Sequence, residues 1–110
     1  MEKFSVKFSE TFFEDLIAIV RFIAEKSGSE ETARRFYENA LHAIEKRSFG
    51  ADIFEKYHPY EGSPEYYRIY FGHYCIFYVI KGQEMDVRRI LWSGMNMPRH
   101  FDGADNNRDK

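Results

Sequence analysis

The side chains able to do chemistry in this 110-residue chain crowd into its last third, Tyr66 to Phe101. Arginines and phenols, among them Arg68, Tyr70, Tyr74, Arg88, Arg89 and Arg99, share that stretch with Cys75, His73 and His100. These types suit contact with a partner better than covalent work. Cys75 has no histidine set beside it to take its proton, so it reads as a small core-like residue rather than a nucleophile. His42, His58, His73 and His100 lack the spacing of metal ligands, so neither a metal nor a cofactor is expected. Arg68 could contact a target or sit in a surface ion pair. Arg88 and Arg89 are adjacent and face opposite ways in a strand, so at least one is expected to be structural, paired with a helix carboxylate. His73 falls in a tight turn and should be exposed. Arg99 and His100, beside Pro98, form a candidate target-binding arm. Trp92, Phe77, Tyr66 and Tyr70 are packing residues or interface anchors.

The elements that must position these groups are legible from pattern. Tyr66 to Phe101 holds three runs rich in aromatic and β-branched residues, split by Gly72-His73 and by a slightly longer turn at Lys81–Glu84; this is a β-meander. Upstream, Phe4, Val6 and Phe8 alternate with Lys3, Ser5 and Lys7, as a short half-buried strand would. Ser9 then caps a helix running from Glu10 to about Lys26, whose stripe is Leu16, Ile19, Val20 and Ile23, widened by Phe12 and Phe13. So broad an apolar face should touch more than one layer, or a partner. Ser27-Gly28-Ser29 breaks it, and Ser29 caps a second helix to about Arg47, striped by Ala33, Phe36, Tyr37, Ala40, Leu41 and Ile44. Residues 48–65 have no period and contain Gly50, Pro59, Gly62 and Pro64, so they read as loop. The expected fold is α+β in the order β-α-α-β-β-β: a four-stranded, mainly antiparallel sheet with an N-terminal helical hairpin on one face. The first strand should join the meander at an edge or beside the last strand. Residues 1–101 are expected to form one domain, and the polar tail 102–110 to be disordered.

Charge and composition narrow the classes. Formal net charge is −2, yet residues 66–101 carry 5 basic and 2 acidic side chains against 9 and 13 in residues 1–65. A domain that lives by gripping nucleic acid carries a stronger positive bias. A single cysteine excludes an internal disulfide framework, and with no secretory signal and no apolar run long enough to span a membrane, a cytoplasmic location is expected.

Strand faces sharpen the picture. Tyr67, Ile69 and Phe71 form the face expected under the helices, with Tyr66, Arg68 and Tyr70 on the open face. The middle strand is apolar on both sides, with Tyr74, Ile76, Tyr78 and Ile80 on one and Cys75, Phe77 and Val79 on the other. Something other than the helices must therefore cover Phe77: the segment after Trp92, a second copy, or another protein. The last strand gives no clear orientation, with Val87, Arg89 and Leu91 on one side and Arg88, Ile90 and Trp92 on the other.

Tyr67-Arg68-Ile69, Gly72-His73-Tyr74-Cys75-Ile76-Phe77-Tyr78, Val87-Arg88-Arg89-Ile90-Leu91-Trp92, Met95-Asn96 and His100-Phe101, in this order, resemble the RelE/ParE superfamily of toxins from type II toxin–antitoxin modules. The resemblance covers residues 3–101. In the RelE-like branch, ribosome-dependent mRNA endonucleases, basic residues and a C-terminal Arg and Tyr act on the scissile phosphate. That branch would assign Arg68, Tyr70, Tyr74 and Arg99, but Cys75 stands where it has an Arg, Met95 or Asn96 at the C-terminal Arg position, and Phe101 at the terminal Tyr. The RNase machinery is mostly absent, which leans against an enzyme. The ParE-like branch fits better through Arg89-Ile90-Leu91-Trp92, Met95-Asn96 and His100-Phe101. It implies a toxin, of the plasmid-stabilisation kind, that inhibits DNA gyrase by binding and is neutralised by a ParD-like antitoxin. Arg89, Asn96, Arg99 and His100 would then meet the target, and Phe13, Ile17 and Phe77 the antitoxin. A homodimer, a toxin–antitoxin hetero-oligomer, a degenerate RelE-like endoribonuclease and an inactive interaction module remain alternatives.

Overall fold

Two serine caps start the helices that the periodicity predicts. The Ser9 hydroxyl accepts from the Phe12 amide at 3.0 Å and opens α1 (Glu10–Ser27). The Ser29 hydroxyl accepts from the Thr32 amide at 3.1 Å and opens α2 (Glu30–Arg47). Each cap satisfies an amide that the helix cannot, and acidic residues in both first turns face the positive helix end. The computed structural model describes residues 1–94. The expected arm 95–101 and tail 102–110 lie outside them.

Before the hairpin comes β1 (Ser5–Phe8); after it come β2 (Lys56–Tyr57), β3 (Tyr66–Phe71), β4 (Tyr74–Lys81) and β5 (Glu84–Trp92). The sheet has five strands, not the four expected, in the order β1-β5-β4-β3-β2. The added strand is a two-residue piece inside the stretch read as loop, pairing antiparallel with Tyr66 and Tyr67. So short a strand leaves no alternation to detect. The meander is antiparallel throughout, while β1 sits at the edge beside β5 and runs parallel to it, Ser5 opposite Glu84 and Phe8 opposite Val87. Both hairpin loops hold two residues, so the second is shorter than expected; Gly72 and Gly82 supply the positive φ, 58° and 61°.

Apolar side chains fill both sides of this sheet. Under the helices lie Phe12, Leu16, Ala40 and Ile44 against Tyr67, Ile69, Ile76, Tyr78, Met85, Val87 and Ile90. On the other side Tyr66, Cys75, Phe77, Val79 and Leu91 form a second cluster with Tyr57 and Tyr60 packed on it. Phe77 is fully buried within the single chain, with ring contacts to Tyr57 at 5.8 Å and Tyr66 at 6.5 Å. It needs no second copy or foreign protein to cover it.

One buried knot fastens the segment after α2 to the sheet. Arg47 donates to the Arg68 carbonyl at 2.9 Å and to the Tyr78 hydroxyl at 3.2 Å, with its guanidinium 3.7 Å from the Phe54 ring centroid. The Tyr78 hydroxyl donates in turn to the Ala51 carbonyl at 2.7 Å. Burial pushes the Tyr78 phenol above its ordinary value. A phenol raised in the folded state gives stability that is complete below its unfolded pKa and lost as pH rises through the folded one. Tyr78→Phe leaves the Ala51 carbonyl unpaired and should cost about 1–3 kcal/mol at neutral pH. The variant should also lose less stability than the parent above pH 10; urea denaturation at pH 7 and pH 10.5 measures both.

Candidate functional site

In β5 the register slips between Phe77 and Tyr78, which oppose Arg89 and Val87. Arg88 is thus an extra residue, a β-bulge that reverses the side-chain alternation. Met85 and Val87 enter the helix-side core, and so does Ile90, while Leu91 joins the opposite cluster. A strict two-residue period cannot describe this strand, which is why its faces could not be assigned from sequence.

The start of α1 holds the bulge. The Ser9 hydroxyl that caps the helix also donates to the Arg88 carbonyl at 2.9 Å. Six residues on, the Asp15 carboxylate accepts from the Ile90 amide at 3.1 Å and from Arg89 through Nε at 2.8 Å and Nη2 at 2.9 Å. Both charged groups are largely buried, so this two-pronged pair is a fixed part of the molecule. Arg88, on the other side, bonds Asp86 at 3.2 Å, and Tyr66 also pairs with it. The expectation that at least one of the two is structural holds for both, and the helix carboxylate is Asp15. The Arg89 guanidinium is thus bound to α1 in the free chain.

β1 pairs only with Glu84–Val87 of β5. Beyond it the strand edge runs past α1 and leaves a cleft of about 630 Å³, lined by Ala18, Ile19, Phe22, Tyr74, Ile90 and Trp92 above the Asp15–Arg89 pair. Phe22 is 53% and Trp92 52% exposed. A Cβ on Gly94 would come within 2.5 Å of the Trp92 ring, so glycine there lets the indole fold back over the chain. On the other flank of α1, Ile17 is 46% exposed, and Phe13 is half-buried against Phe8 at 5.1 Å. Of the three residues assigned to a partner, Ile17 is thus open, Phe13 partly so, and Phe77 closed off. Phe22 and Trp92 were missed as a pair. Phe22 lies just off the Leu16–Ile19–Val20–Ile23 stripe, a signal that it leaves the core.

The four residues of an RNase reading do not converge. Arg68 and Tyr70 share the open face, 5.5 Å from guanidinium carbon to ring centroid. Tyr74 lies on the helix side, edge-on to Phe36 at 5.3 Å. Arg99, with Asn96 and His100, falls outside the described residues. Cys75 is buried, and burial pushes its thiol up, against thiolate chemistry. Among the described residues no group of His, Cys, Asp and Glu could hold a metal ion. No helix there is long and apolar enough to cross a membrane.

A helical hairpin on one face of a mixed sheet, with its last-strand arginines held by carboxylates and an apolar cleft open along α1, defines a small α+β domain that presents partner-sized apolar surface. The chain belongs to the ParE toxin family of type II toxin–antitoxin systems: the family model for the ParE toxin of parDE matches residues 6–97. Among solved structures it shares the fold of a chain from the chromosomal ParDE toxin–antitoxin system of P. aeruginosa, with a TM-score of 0.68 at 20% identity, over 81% of this chain and 95% of that one. No curated protein sequence matches the chain.

Removing one partner from a buried ion pair strands the other charge. Asp15→Ala should therefore cost about 3 kcal/mol or more, since it also orphans the Ile90 amide. Asp15→Leu combined with Arg89→Met should recover much of that loss, as a double-mutant cycle by chemical denaturation would show.

Proposed function

We propose that this chain is a toxin that inhibits DNA gyrase by binding it, without cleaving nucleic acid, and that a ParD-like antitoxin neutralises it. The observation that carries the non-cleaving reading is the commitment of β5's arginines: Arg88 and Arg89 are held by Asp86 and Asp15. Phosphoryl chemistry needs cations aimed at developing charge, and arginines locked into the fold do not provide it. A buried thiol with a raised pKa and a tyrosine turned to the helix side argue the same way.

The antitoxin reading rests on α1. Its two flanks expose Ile17 on one side and Phe22, facing Trp92 across the cleft, on the other. Apolar side chains of this size along a helix suit a partner that lays a helix against them. In this reading Phe13 and Ile17 keep their role, Phe77 gives it up to Phe22 and Trp92, and Asn96, Arg99 and His100 carry the gyrase contact. Family membership supports a cytoplasmic toxin that meets both partners there.

Purified protein, folded and free of antitoxin, should block supercoiling by DNA gyrase with accumulation of cleaved DNA, and should leave mRNA on translating ribosomes intact. Ribosome-dependent cleavage that disappears in Arg68→Ala would replace this reading with the endoribonuclease one. Ile17→Glu and Phe22→Glu should each weaken antitoxin binding at least tenfold, about 1.4 kcal/mol, while gyrase inhibition persists. Unchanged antitoxin affinity in both variants would move the interface off α1.

A further inference from the structure

Arg68 is held differently from the arginines that pack against the sheet. Its guanidinium carbon lies 4.2 Å from the Tyr57 ring centroid and 5.5 Å from that of Tyr70, the two rings flanking it on the open face. Its carboxylate partner is Glu55, through one contact of 3.4 Å, and that side chain is 86% exposed. Arg47 is tied down by a carbonyl, a phenol and a ring, and Arg89 by a two-pronged carboxylate. A single long contact to an exposed glutamate contributes little to folding. The rings, by contrast, hold the guanidinium plane in place before any ligand arrives, and Tyr70 is itself 70% exposed. A pre-ordered arginine among exposed tyrosine is the composition of an interface hot spot.

The geometry points to Arg68, with Tyr57 and Tyr70, as a receptor for a carboxylate side chain from an acidic segment of a protein partner, with Glu55 as its displaceable placeholder. A planar guanidinium matches a carboxylate through two parallel hydrogen bonds, and Glu55 now uses one. Charge favours the same occupant. Arg88 and Arg89 are neutralised by Asp86 and Asp15, so the charge on offer at the rings is the single Arg68 guanidinium, which one carboxylate matches. A polyphosphate backbone needs several cations to bind, and the two rings here hold one. This site lies on the sheet face away from the helices, so the antitoxin cleft along α1 stays separate from it.

A fluorescein-labelled hexaglutamate peptide, titrated with the full chain at low salt and followed by fluorescence polarisation, tests this with no topoisomerase present, so it and the gyrase reading can fail separately. Glu55→Gln should bind the peptide at least threefold more tightly than the parent. Arg68→Lys should lose at least fivefold although it keeps the charge, because an ammonium cannot form the paired bonds. Tyr70→Ala, at an exposed position that leaves the fold intact, should lose about threefold or more. Equal affinity of Glu55→Gln and the parent would overturn the placeholder role. Full binding by Arg68→Lys and Tyr70→Ala, both shown folded by circular dichroism, would overturn the site. Tighter binding of a labelled hexathymidylate than of the peptide would overturn the ligand class.

Discussion

The Asp15 carboxylate is the joint on which the domain turns. Three donors converge on it from β5: both arms of the Arg89 guanidinium and the Ile90 amide. Ser9, six residues earlier, donates to the Arg88 carbonyl. A bulge frees backbone groups that a regular ladder would pair, and here the first helix supplies the missing partners. The same contacts fix how α1 crosses the sheet. They bring Phe12 and Leu16 over Val87 and Ile90, and they hold α1 beside the end of β5 that runs past β1, with a cleft between them. Helix placement, core composition and open surface thus follow from one buried pair.

Most of the architecture was legible because it rests on local rules. Caps at Ser9 and Ser29, the breaker at Gly28, the stripes of both helices and the two glycine turns can each be read within a few residues. The alternating faces of β3 and β4 came out as expected, with Tyr67 and Ile69 under the helices and Phe77 away from them. What escaped depends on distant partners. β2 is two residues long and exists only because Tyr66 and Tyr67 offer it an edge. The β5 bulge inserts Arg88 where no period signals it. The burial of Phe77 needed knowledge that Tyr57 and Tyr66 close around it, which no pattern in residues 48–65 reveals. The pairing of Arg89 was hidden for the same reason: an arginine in a strand carries no mark of the aspartate, 74 positions earlier, that holds it.

The arginines divide by what surrounds them. Arg47 and Arg89 are enclosed and satisfied on several sides, so their charge serves the fold. Arg88 lies against Asp86 and Tyr66. Arg68 alone of these four has rings for walls and a loosely held glutamate for a lid. Identical side chains, two of them adjacent in sequence, therefore have different standing, decided by whether the neighbouring acid is buried with them or left in water.

The parallel pairing of β1 with β5 sets a timetable for synthesis. The Ser9 hydroxyl bonds the Arg88 carbonyl 79 positions away, and Asp15 reaches the Ile90 amide 75 positions on. Closing so long a loop comes late in folding. On a ribosome the helical hairpin emerges early, but its carboxylate has nothing to hold until nearly the whole domain has left the exit tunnel. Until then α1 lacks the strand that anchors it and the cleft has only one wall. A growing chain therefore completes this surface only after β5 has emerged, and any partner that recognises the finished cleft meets α1 and β5 already joined.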